Sequence, residues 1–134
     1  MHEIGYTVLY HHTRRPATGV QIGRFAVRMS AGEVLYDADG RNSVARPWSV
    51  DHIASGISVL DLHTFEDAVF VADDVSRFSA KDPDATTLDA LIEQLGDRVV
   101  GWLTWIEQQK GGYPHLSFRQ WCAWWYEKSA RVTG

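Results

Sequence analysis

A single cysteine, Cys122, stands in a chain of 134 residues, so no intramolecular disulfide can brace the fold. No apolar run approaches the ~20 residues that a membrane-spanning helix needs. No cationic, apolar and cleavable leader opens the sequence. A reducing cytoplasm is therefore the expected location, and no membrane partner is expected.

Metal and catalytic patterns are also lacking. Six histidines are present, yet none forms an H-x-x-x-H or H-E-x-x-H pair. His11 and His12 are adjacent and would point to opposite faces of a strand. His2, His52, His63 and His115 are scattered, and a surface or hydrogen-bonded role suits each better than a metal. Asp61 and His63 share a face only if their strand runs that far. The stretch DADGRN is calcium-loop-like in its acids but has no closing glutamate, and Asp39-Gly40 is first a turn signal. Neither G-x-S-x-G nor a glycine-rich phosphate loop occurs. No metal, cofactor or catalytic residue is expected, and an enzyme ranks behind a binding protein.

What is present is ordinary globular material, 45% hydrophobic and 22% charged. The length suits one domain, residues 1–134. The net charge of −4 is unevenly spread. Residues 1–60 carry six Arg or Lys against five acids, a balance of +1, and residues 61–134 carry seven against twelve, a balance of −5. The acidic half is a poor nucleic-acid surface, whereas the first half can hold a local basic patch.

Residues 1–63 read as β hairpins. YTVLYHH alternates from Tyr6 through Val8 to Tyr10. In GVQIGRFAVRM the apolar phase flips at Gly23, as a β-bulge would make it do. EVLYDADGRNSV reads as one hairpin, and WSVDHIASGISVL as another turning near Ser55-Gly56. Tyr6-Thr7-Val8 with Thr18-Gly19-Val20 echoes Trp48-Ser49-Val50 with Ser55-Gly56-Ile57, as a duplicated strand-turn-strand unit would.

Residues 64–130 read as helices. Thr64 with Asp67 suits a capping box ahead of FEDAVFVADDVSRF, although AVFVA also suits a buried strand. Leu88, Leu91, Ile92 and Leu95 make one stripe ending at Gly96, and Asp97 can cap RVVGWLTWIEQQK. Ser117 can cap the last helix. The expected class is α+β: a small antiparallel sheet packed against C-terminal α-helices. KDPDAT links the halves but is too short to separate domains.

Two surfaces are candidates for function. In SFRQWCAWWY, a helical period puts Phe118, Trp121, Cys122 and Trp125 in a core stripe, leaves Tyr126 on its flank, and throws Trp124 well off it. Trp105 is displaced in the same way from the stripe of Val99, Trp102, Leu103 and Ile106. Trp105, Trp124 and Tyr126 are thus the candidate residues for binding a protein partner or a second copy of the chain, unless other elements cover them. The alternative is an anion or nucleic-acid site on the HHTRRPATG turn and sheet. It would use His11, His12, Arg14, Arg15, Arg24 and Arg28, with aromatics to stack bases. The same turn also reads as a solvated loop, exposed and mobile.

Overall fold

In the computed structural model, residues 2–10, 12–30, 46–109 and 116–133 are described, with side chains as far as 125. The fold is α+β. Five strands come first: β1 (Glu3–Tyr10), β2 (Thr13–Ile22), β3 (Phe25–Met29), β4 (Trp48–His52) and β5 (Ser58–Leu62). Four helices follow: α1 (Phe65–Phe78), α2 (Leu88–Leu95), α3 (Asp97–Gln108) and α4 (Phe118–Thr133). The strands form one antiparallel sheet in chain order, β1-β2-β3-β4-β5. The hairpin expected over residues 33–44 lies outside the described residues.

Gly23 does not bulge a continuous strand. With Arg24 it makes a two-residue turn, φ 60° at the glycine, and the chain reverses from Ile22 to Phe25. A reversal flips the apolar phase just as an extra residue would. The HHTRRPATG stretch is likewise not a loop. His12 stands in the turn after β1, and Thr13 to Gly19 lie inside β2, paired with β1. The expectation of a mobile loop therefore gives way to an exposed strand. The echo between the first and third hairpins also has no geometric counterpart, because Gly19 lies mid-strand whereas Gly56 lies in the β4–β5 turn.

Register sorts the sheet into two faces. Phe25, Val27, Val50, His52, Leu60 and Leu62 share the face against the helices, where Ala68, Val71, Ala72 and Val75 of α1 meet them, all buried. Thr64 caps α1, its hydroxyl accepting from the Asp67 N–H at 3.1 Å. Thr87 caps α2 in the same way. Leu91 and Leu95 are buried, but Leu88 and Ile92 of the same stripe are exposed. Asp97 is the first residue of α3 rather than its cap; Gly96 occupies the cap without a side-chain bond. Ser117 and Gln120 close a reciprocal capping box at the start of α4.

The KDPDAT segment is docked on the sheet. Arg24 holds Asp82 with two bonds, of 2.9 and 2.6 Å, and Ala80 and Lys81 donate N–H groups to Leu95 and Gln94 carbonyls. His52, fully buried against Phe25, anchors the segment at the Pro83 carbonyl through Nε2. Nε2 faces an acceptor, so it carries the proton, and Nδ1 accepts from the Ser55 hydroxyl at 2.7 Å. Burial pushes the His52 pKa down, with the Pro83 bond opposing. A depressed histidine contributes stability above its unfolded pKa of about 6.5 and withdraws it as the pH falls below that value. Thermal unfolding from pH 7.5 to 5 should show this loss, and His52→Phe should flatten the slope even if it lowers stability throughout. An unchanged slope would place the titration elsewhere.

Candidate functional site

The aromatic residues of α3 and α4 meet in a row. Trp105 lies 6.4 Å from Trp121 and 6.0 Å from Trp124, centroid to centroid, and Trp121 stacks on Trp125 at 5.9 Å with 13° between the planes. Beside this row runs a groove of about 490 Å³ between the two helices, with Gly101, Trp105, Trp121, Cys122 and Trp125 in its walls. Gly101 allows the helices to come close, since a Cβ there would sit 3.3 Å from the Trp121 ring. Asp97 and Arg98 stand at one end of the groove.

Trp121 is 6% exposed, as a core residue should be, but Trp125 is 48% exposed and is not core. Phe118 anchors the first turn of α4, stacked on Phe78 and edge-on to Trp102. One turn beyond Trp121 the helix faces only Asp97 and Arg98 at the start of α3, and no described element covers it there. Helical periodicity identifies a face but not where along it the covering partner stops. Trp124 is 39% exposed, and Trp105 is half-buried between Trp121 and Trp124. Cys122, expected in the core, is half-buried on the groove; burial pushes its thiol pKa up, with Arg98 opposing. The Tyr126 side chain lies outside those described.

One polar atom in this region has no partner among the described residues. The Trp121 indole N–H is buried and makes no hydrogen bond to them. The corresponding N–H of Trp102 donates to the Leu116 carbonyl at 3.3 Å. A buried N–H left without an acceptor costs ~1–3 kcal/mol, so the contrast within one aromatic cluster needs an explanation.

The other face of the sheet holds a second constellation, invisible to motif reading. Asp51 is fully buried there and accepts four bonds: from the Tyr6 hydroxyl at 2.6 Å, Arg28 Nε at 2.8 Å, and the Ser49 and Ser58 hydroxyls at 2.7 and 2.6 Å. A β-bulge between Val50 and Asp51 sets Ser58, instead of Val59, opposite the carboxylate. Gly19 gives Tyr6 its room, since a Cβ there would lie 3.1 Å from the hydroxyl. Burial and the bond to Asp51 drive the Tyr6 pKa far up. The sheet curls over this network until Leu9 of β1 donates to the Gly56 carbonyl at 2.8 Å. Gly56 has φ 74°, and a Cβ there would stand 2.7 Å from the Thr7 carbonyl, so only glycine suits the closure.

The basic residues do not gather into one patch. Arg24 is paired with Asp82, and Arg28 with the buried Asp51. Arg14 and Arg15 are neighbours on β2 and leave opposite faces of the sheet. His12 is exposed in the turn with φ 69°, and His11 lies outside the described residues. Arg15 and Arg28 line a common cavity, inside the curl. Among the described residues, no three His, Cys, Asp or Glu side chains gather as a metal set, and no helix is long and apolar enough to cross a membrane.

No protein-family model, curated protein or solved structure matches the chain.

Proposed function

We propose that this is a protein-binding domain that receives a segment of a partner chain in the α3–α4 groove. The observation that carries this reading is the groove itself, walled by Gly101, Trp105, Trp121 and Trp125, with Trp124 and Trp125 left exposed beside it. An apolar partner side chain would fill the space between Gly101, Trp105 and Trp125. Trp124 and Trp125 extend the apolar surface beyond the groove, as large aromatics do at the centre of protein interfaces. The anion or nucleic-acid alternative is weaker, because Arg24 and Arg28 are held by carboxylates of the same chain and Arg14 and Arg15 diverge.

Selection of displayed peptides against the folded domain tests the reading, with the Trp121 indole N–H followed by NMR. Selected peptides should share an apolar anchor, compete for one site, and shift the Trp121 indole resonance as the groove fills. Peptides that bind while leaving that resonance in place would remove the proposal, as would a selection that yields no competing family.

A further inference from the structure

The cavity inside the curled sheet measures about 440 Å³, within the size range of small-molecule sites. Its walls come from β1 and β2 on one side and β5 on the other, with Arg28 of β3 between them. This lining is polar where a small domain would ordinarily pack apolar side chains. The Arg28–Asp51 pair is internally balanced. Two other charges are not. Asp61 is half-buried on β5 and has no ion-pair partner among the described residues, since Arg46, the cation that bears on it, is paired with Glu107. Asp51, Asp73, Asp82, Glu93 and Glu107 all have such partners. Across the cavity the exposed Arg15 guanidinium lies 4.4 Å over the Tyr10 ring, with its N–H edge not engaged in an ion pair among the described residues. Opposite charges line one cavity and are too far apart to pair with each other.

We propose that this cavity binds a small zwitterion of the free amino-acid class, its ammonium against Asp61 and its carboxylate against Arg15. The inference is independent of the groove and concerns the opposite side of the sheet. A guanidinium already stacked on an aromatic ring is oriented, and its N–H edge is the fork that a carboxylate fits. A half-buried carboxylate whose neighbouring cation is paired elsewhere is what an ammonium completes. Metabolite-sized molecules match the volume. Larger polyanions would meet Asp61, with Asp51 and Glu107 close enough to bear on it and Arg46 opposing them.

The pH dependence follows from the surroundings of Asp61. Burial pushes its pKa up, the Ser49 bond and Arg46 oppose, and Asp51 and Glu107 add to the rise. The protonated acid cannot hold an ammonium, so affinity should climb as the pH rises through the raised pKa. The same shift means that the charged form burdens the fold. Asp61→Asn should therefore melt higher than wild type at neutral pH, and the gap should close below about pH 4, where the carboxyl is protonated in both folded and unfolded chains.

The test is calorimetric titration of the domain with each of the twenty free amino acids, then with the decarboxylated amine of any binder. At least one amino acid should bind. Asp61→Asn should weaken both the amino acid and its amine tenfold or more, whereas Arg15→Ala should weaken the amino acid and leave the amine unchanged. If none of the twenty binds, or if Asp61→Asn binds as wild type does, the proposal fails. It fails equally if the amino acids bind more tightly as the pH falls, since the cavity would then be taking the anionic end alone. The raised melting temperature of Asp61→Asn shows that a loss of binding is not a loss of fold.

Discussion

Asp51→Ala should cost the domain about 3–5 kcal/mol, because it removes one partner of a buried ion pair and strands the other. Arg28 would lose its carboxylate, and the hydroxyls of Tyr6, Ser49 and Ser58 would all lose an acceptor. These groups come from β1, β3, β4 and β5, so the damage would spread through the curled sheet. Against a total stability of ~5–15 kcal/mol, such a loss leaves little margin. Urea unfolding measures it directly. Asp51→Asn keeps the shape and some of the bonds, and should cost less. A loss below about 1 kcal/mol for the alanine variant would mean that water replaces the carboxylate and that the network is not sealed from solvent.

Trp102→Ala should be of similar size, about 3–5 kcal/mol, for a different reason. Trp102 is fully buried, edge-on to Phe118 at 5.9 Å, with its N–H on the Leu116 carbonyl. It fixes the start of α4 against α3. Removing it leaves a cavity and takes a donor from the Leu116 carbonyl. Trp125→Ala is the contrast. The ring is half exposed and stacks on Trp121 alone among the described aromatics, so its loss should cost about 1 kcal/mol. Equal losses for the two variants would show that α4 is covered along its whole length.

The α+β class was legible because alternation in YTVLY and WSVDH and helical spacing in LDALIEQL each match one kind of element. The caps at Thr64 and Ser117 reflect local chemistry that a sequence displays openly. Pairing is where the reading departs from the structure. A phase flip at Gly23 means either a bulge or a reversal, and only the partner strand decides. Polar residues at positions 49, 51 and 61 mark the strand phase opposite the core, which is ordinarily a solvated face. Nothing local reveals that Leu9 reaches Gly56 and that the curl buries Asp51. Trp105 and Trp124 could be read as flank residues from angle alone. Trp125 could not be placed, because a helical wheel has no axial coordinate to show where α3 ends beneath α4.

The central claim is that the tryptophans on the outer surface of α3 and α4 serve association and not folding. The most direct measurement pairs equilibrium unfolding with binding on one protein, the double variant Trp124→Ala, Trp125→Ala. Binding is read as affinity for the selected peptides and as self-association in sedimentation. The account predicts that the variant unfolds within about 2 kcal/mol of wild type, two partly exposed rings being lost, and that its association weakens tenfold or more. A variant that loses as much stability as Trp102→Ala, yet binds and sediments as wild type does, would contradict the account and return all of the aromatic surplus to the core.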